Sequence, residues 1–234
     1  QKGDSSPVTI ADQKAETLIL AGLRAADPDL DILAEESVSD HGAPEHGTRF
    51  ALVDPLDGTR EFVNRRGEFT VNIAIIEHGR PTMGVVYAPA LDRLFVATSP
   101  SEAWQATAKP GAPLPGEAAR TPMSIRKASE TGIVAIASKS HRSPETDQFL
   151  ERYTVSDIIS AGSSLKFCLI AAGEADLYPR MGRTMEWDTA AGQAVVEAAG
   201  GRVLTEDGAP LLYGKTERGY DNPHFIVYGD VDPK

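Results

Sequence analysis

The chain has 234 residues, 41% hydrophobic and 24% charged, with a net charge of −11 and a pI near 4.9. That is enough chain for one large domain or two lobes around a sizeable core. The acidity excludes a general nucleic-acid binder, which needs a basic footprint, and no apolar run approaches the length of a membrane span.

A single cysteine, Cys168, excludes an internal disulfide and a cysteine-based zinc cluster and suits a reducing cytosol. No signal peptide is visible, although the chain opens on Gln1 rather than Met, as a sequence trimmed upstream would; with its single cysteine, a cytoplasmic location is expected. Metals or local cations can still let so acidic a protein hold a small anion.

In chain order, Thr9 reads as a helix cap, with Asp12 three residues on in the place of the usual Glu of a capping box. Leu18, Ile19, Gly22, Leu23 and Ala26 follow at helical spacing, and Asp27-Pro28 ends the helix. "DILAEES" predicts a short strand running into Glu35 and Glu36, and Phe50 to Val53 a second strand that delivers Asp54. "FTVNIAII", "TMGVVYA" and "RLFVAT" predict an antiparallel meander. The stretch from Ser99 to Glu117, rich in Pro, Ala and Gly, is expected to be an exposed loop near a lobe boundary.

The second half alternates. "GIVAIAS" predicts a strand ending at Ser138, and Ser143-Pro144 the start of a helix. "GSSLKFCLIAAG" predicts a capped helix closed by Gly173, with Cys168 on its core face, and "EADLYP" a strand. "WDTAAGQAVVEAAGG" predicts a helix capped by Asp188 and stopped by Gly200-Gly201. The fold expected is α/β: an α+β lobe over residues 1–121 and an α/β lobe over 122–234.

Asp12, Glu35, Asp54, Asp57 and Asp188 all stand at element ends, where α/β proteins build sites. They are hard oxygen ligands without His or Cys, a set that suits Mg²⁺, Mn²⁺ or Ca²⁺ and disfavours zinc and copper. In "DPLDGT", Pro55 fixes a turn, Gly58 permits close backbone approach, Leu56 can offer only its carbonyl, and Thr59 adds a hydroxyl. Each piece alone has an ordinary explanation. Asp-Pro and Asp-Gly are common turn pairs, Asp is a favoured cap, and Glu35-Glu36 alone reads as a solvated pair. The residues by themselves therefore reach a possible hard-metal site and stop there.

Taken together, "SPVTIADQKAE", "AEES", "LVDPLDGTREF", "GEFTVNIAIIEHGRPTMGVVYAP", "SAGSSLKFCLIAAGEADLYPR" and "WDTAAGQAVVEAAGG" resemble the inositol monophosphatase superfamily of metal-dependent phosphatases. "DGTREF", "GEFTVNIA", "GSSLKFC" and "LYPR" are most similar to its CysQ-type 3'(2'),5'-bisphosphate nucleotidases. The resemblance implies a layered αβαβα sandwich and removal of the 3'-phosphate of adenosine 3',5'-bisphosphate, a by-product of sulfate assimilation.

It further implies roughly two or three Mg²⁺ ions, with Mn²⁺ as a substitute, held by Glu35, Asp54, Asp57, Asp188 and the Leu56 carbonyl. Asp12 and Thr59 would orient and deprotonate the attacking water. Glu35, Leu56, Asp57, Gly58, Thr59, Ser138, His141, Gly162, Ser163, Lys166 and Asp188 would line the substrate site. Arg60, Arg65, Arg66 and Arg180 are cations available for a second phosphate, and Tyr178 and Tyr213 could stack on a base or sit in the core.

The expected partner is a small phosphorylated nucleotide rather than a nucleic-acid polymer. Arg60-Glu61 after "DGT" argues against an inositol monophosphatase, the nearest enzymatic alternative together with a fructose-1,6-bisphosphatase. From other classes, a non-catalytic phosphonucleotide sensor and a plain Ca²⁺-binding protein are the competing readings. The presence of Asp12, Thr59 and every metal carboxylate favours an active enzyme.

Overall fold

Helix α1 (Ile10–Ala26) begins where the capping pair places it: the Thr9 hydroxyl accepts from Ala11 N, and Thr9 N donates to Asp12 Oδ2 at 2.8 Å. The computed structural model describes residues 9–138 and 143–234, and of Ser138 only the backbone. Strand β1 (Asp31–Ala34) stops one residue before Glu35, which opens helix α2 (Glu35–His41) instead of prolonging the strand. Strand β2 (Arg49–Asp57) runs parallel to β1, and helix α3 (Thr59–Val63) follows it at once. Strands β3 (Thr70–Glu77), β4 (Arg80–Ala88) and β5 (Arg93–Ser99) form the expected antiparallel meander.

The predicted Ser99–Glu117 loop is only partly a loop. It opens on the last residue of β5 and then forms strand β6 (Glu102–Thr107), paired antiparallel with β5 and burying Ala103, and β7 (Thr121–Pro122) then adds the last, short strand. The Pro- and Gly-rich remainder is exposed, with Leu114 85% accessible. The seven strands lie side by side in chain order.

Strand β8 (Ile133–Ser138) and helix α4 (Pro144–Leu150) occur as read, the latter with Ser143 Oγ accepting from Thr146 N. Strand β9 (Val155–Ala161) leads to helix α5 (Leu165–Ala171), and β10 (Leu177–Arg180) to helix α6 (Glu186–Ala198). Strands β11 (Arg202–Thr205) and β12 (Phe225–Tyr228) complete a five-stranded sheet in the order β11-β12-β10-β8-β9. Asp188 is not the cap of α6 but its third residue, and it accepts from Met185 N at 2.8 Å. No side chain caps α5, so the two serines before it serve another purpose.

Helices α5 and α6 fill the space between the sheets. The Ala190, Ala191 and Ala194 side chains are small enough to bring α6 close to β3 and β4, where it buries Ala74, Ile76, Val86 and Ala88. Helices α1 and α2 lie on β1 and β2, and α4 covers Ile133, Ala135, Leu177 and Ile226 on the far side of the second sheet. The layers therefore run α, β, α, β, α, as expected.

The apolar stripe read for α1 is only in part its inner face. Leu18 is 75% exposed and Gly22 and Ala26 are exposed, Ile19 and Leu23 are half-buried, and the most deeply buried residues are Asp12 and Glu16 on the same face. A helix that buries two acids against its own protein is positioned by polar partners as well as by apolar packing. No helix among the described residues is long and apolar enough to cross a membrane.

Candidate active site

The spacing of Asp54 and Asp57 would put them on opposite faces of a regular strand. A bulge prevents this. Asp54 pairs with Asn72 and Asp57 with Thr70, so β2 spends three steps where β3 spends two. Thr70 and Asn72 share one face of β3, and the two aspartates opposite them consequently share that face as well. Leu56 N closes the local turn by donating to Asp54 Oδ1 at 2.9 Å.

Glu35 stands at the carboxyl end of β1, next to the β2 strand that carries Asp54, and Asp188 arrives from the first turn of α6. The mutual electrostatics show that the four converge. Burial raises Asp54 well above the usual carboxylate range, and repulsion from Glu35, Asp57 and Asp188 adds to it. Asp188 is likewise raised by burial, then by Asp57 and Glu35. Asp57 is pushed up to about 6 by burial, held back by Lys166 and by the hydrogen bond from Ser164 N.

Among the described residues, no three acidic, His or Cys side chains form a ready-made ligating cluster; the carboxylates share a region rather than a point. The donor set still fits a hard divalent cation: carboxylates and a carbonyl, no nitrogen or sulfur, and like charges, Asp54 buried and Glu35, Asp57 and Asp188 half-buried, in want of a counter-ion.

Asp12 is fully buried. Its Oδ2 takes the Thr9 hydroxyl at 2.5 Å, and its Oδ1 lies 3.4 Å from Thr59 Oγ1, which is also 3.3 Å from the Leu56 carbonyl. Asp12 and Thr59 thus meet, although 47 residues separate them.

Gly58 precedes Thr59 with φ +88°, and a Cβ there would lie 2.2 Å from Ser163 Oγ. Gly162 is as tightly held, since a Cβ on it would fall 2.4 Å from the Glu68 carbonyl. These contacts explain the serines ahead of α5. Ser163 Oγ donates to the carbonyls of Asp57 (2.8 Å) and Glu68 (3.0 Å), and Ser164 N donates to Asp57 Oδ2 (2.7 Å). Ser164 Oγ donates to Asn72 Oδ1 (2.6 Å) and meets Thr70 Oγ1 (2.9 Å).

Lys166 is buried and aims its Nζ at the Ser163 carbonyl, 2.7 Å away. Burial depresses its pKa to about 8 against the pull of Asp57. Arg180, half-buried at the end of β10, acts electrostatically on Lys166 and Asp188 and so belongs to the same neighbourhood. Arg60, Arg65 and Arg66 are exposed around α3.

Tyr178 and Tyr213 are core residues. The first packs edge-on against Phe167 and Phe225, and the second donates its hydroxyl to Gln193 Oε1 at 2.7 Å. Cys168 is fully buried in the core, where burial raises its thiol pKa. Ser138 ends β8 beside this region, and His141 lies outside the described residues. Residue-by-residue reading missed Thr70 and Asn72 and took Ser164 only as part of the helix start, whereas the three together form the polar set behind Asp57. Thr70 and Asn72 did leave a trace, as polar residues two apart in an otherwise apolar strand.

The model of the inositol monophosphatase family matches residues 1–225. The chain belongs to the inositol monophosphatase family. It is 44% identical to the 3'(2'),5'-bisphosphate nucleotidase CysQ of Escherichia coli strain K12 over 226 residues, 97% of this chain and 87% of that protein. The CysQ of Buchnera aphidicola is 41% identical over 217 residues, 93% and 78% of the two chains. Among solved structures, CysQ from Bacteroides thetaiotaomicron superposes with a TM-score of 0.82 at 38% identity, covering 98% of this chain and 87% of that one. An inositol monophosphatase from Thermotoga maritima gives 0.72 at 28% identity, covering 97% and 80%.

Proposed function

We propose that this family member is a Mg²⁺-dependent 3'(2'),5'-bisphosphate nucleotidase that hydrolyses the 3'-phosphate of adenosine 3',5'-bisphosphate to AMP and phosphate. The observation that carries the metal chemistry is the β2 bulge, which turns Asp54 and Asp57 to one face toward Glu35 and Asp188. The substrate follows from the likeness to CysQ proteins across nearly the whole chain.

Glu35, Asp54, Asp57, Asp188 and the Leu56 carbonyl would hold roughly two or three divalent ions, Mn²⁺ serving in place of Mg²⁺. Bound there, the ions neutralise phosphoryl charge and make water a competent nucleophile near neutral pH.

The chain's own groups do the rest. Thr59 Oγ1, between Asp12 Oδ1 and the Leu56 carbonyl, orients the attacking water and relays its proton to Asp12. A new P–O bond to that water forms as the bond to the ribose 3'-oxygen breaks, and the departing oxygen takes a proton from solvent. Asp12 has no route to escape into water, because the Thr9 cap and burial hold it in place. Gly58, Gly162, Ser163 and Lys166, with Ser138 and His141, would border the nucleotide, and Arg180 offers a cation for its second phosphate.

Phosphate release tests the reading. Adenosine 3',5'-bisphosphate, inositol 1-phosphate and fructose 1,6-bisphosphate are offered in parallel with Mg²⁺, with and without chelator. The expected result is chelator-sensitive release with a strong preference for the nucleotide. Preference for inositol 1-phosphate would overturn the substrate, and turnover indifferent to chelator would overturn the metal mechanism.

A further inference from the structure

Helix α2 starts at Glu35, and the residue before it, Ala34, has no side chain with which to cap the free N–H groups of the first turn. The cap comes from another helix. Glu16 of α1, only 5% exposed, accepts from Glu36 N through Oε2 at 2.9 Å and from Ser37 N through Oε1 at 2.9 Å. The Ser37 hydroxyl adds a bond to Oε1 at 2.5 Å. Both carboxylate oxygens are therefore committed to the two residues that follow Glu35.

Glu16 also stands one turn beyond Asp12 on the same face of α1, and these two are the buried residues of that helix. A burial this costly for an acid needs a return, and mere helix capping is available from any Ser, Thr, Asp or Asn at residue 34. What a local cap would not do is bind α1 to α2. Glu16 does so at the point where one helix presents Asp12 and the other presents Glu35.

We infer that Glu16 is a positioning residue for the reaction: a cap supplied by α1 that fixes Glu35 relative to Asp12 and thereby sets the metal site. The inference rests on the proposed role of Glu35 as a metal ligand. Glu16 touches neither substrate nor metal in this account; it acts through the first turn of α2. Outer-shell groups that orient a ligand are worth about 10–100-fold in metal affinity or activity. The geometry gives Glu16 that kind of leverage, since loss of its bonds frees the turn that carries Glu35.

The test uses the whole chain, stripped of metal and titrated with Mg²⁺ by calorimetry without substrate, alongside kinetics with adenosine 3',5'-bisphosphate. Glu16→Gln places an NH₂ group against a backbone N–H, leaving one donor unmatched. Expected are a roughly tenfold loss of Mg²⁺ affinity and of kcat, with KM for the nucleotide within about twofold of the parent. Ser37→Ala removes only the hydroxyl contact and should shift Mg²⁺ affinity in the same direction by about two- to threefold.

Glu35→Gln serves as the control. If it leaves Mg²⁺ affinity at the parent value, the metal reading of Glu35 fails, and this inference with it. If Glu35→Gln weakens Mg²⁺ binding while Glu16→Gln lowers only the melting temperature, Glu16 is an inter-helix tie and the inference alone is overturned. Should Glu16→Gln not fold, Ser37→Ala decides: unchanged Mg²⁺ affinity and kcat overturn the inference, and a weakened affinity supports it.

Discussion

Gly58→Ala probes a close approach between the two halves of the chain. The residue sits at φ +88°, where an L side chain costs about 1–2 kcal/mol. Its new Cβ would lie 2.2 Å from Ser163 Oγ, forcing that hydroxyl to rotate away. Ser163 would then surrender the one hydroxyl proton it shares between the Asp57 and Glu68 carbonyls, a bond worth about 1 kcal/mol net. The expected destabilisation is about 2.5 kcal/mol, or a fall of about 5–10 °C in Tm for a domain of this size.

The assay is a urea or thermal melt of four proteins: parent, Gly58→Ala, Ser163→Gly and the double variant. With no hydroxyl at residue 163 there is nothing to collide with, so Gly58→Ala should then cost only the backbone share, leaving a coupling of about 1 kcal/mol. Equal cost in both backgrounds, within about 0.5 kcal/mol, would refute the steric reasoning.

Two further outcomes follow from the carboxylates. Asp57→Asn keeps an acceptor for Ser164 N but removes a ligand charge; turnover should fall by roughly 10³-fold, about 4 kcal/mol of barrier, with the parent's circular dichroism retained. Turnover near the parent's would sink the assignment of Asp57 to the metal. The chelated protein should also gain stability as pH is lowered from about 7.5 to about 5.5. Asp57, with its pKa near 6, and Asp54 and Asp188, raised further, bind protons in the fold that the unfolded chain has already released. More protons bound folded than unfolded means that stability falls as pH rises. Saturating Mg²⁺ should abolish this trend, and a chelated protein that loses stability on acidification across that window would contradict it.

Much of the molecule is written in local signals. The Thr9–Asp12 cap, the alternation through Thr70–Glu77, the Ser143-Pro144 start and the small-residue face of α6 are each settled within a few residues, and each occurs as the sequence implies. So is the chemistry on offer, a set of carboxylates without nitrogen or sulfur. Some strands escaped: β6, hidden in a Pro- and Gly-rich stretch; β9, a largely exposed edge strand with no apolar alternation; and β11 and β12, whose four residues each carry too little periodicity to stand out.

Tertiary structure decided what touches what. Only the pairing of β2 with β3 reveals the bulge that turns Asp54 and Asp57 the same way. Only packing brings Ser164 to Asp57 across 107 residues, making "GSS" a clasp on the aspartate motif as well as a helix start. The helical pattern of α1 suggested an apolar face, yet Asp12 and Glu16 are buried more deeply than Ile19 and Leu23 farther along that face, because their partners lie on α3 and α2. Caps, turns and periodicity act over one or two turns of chain. Convergence of charges depends on which surfaces meet, and that is fixed only when the layers close.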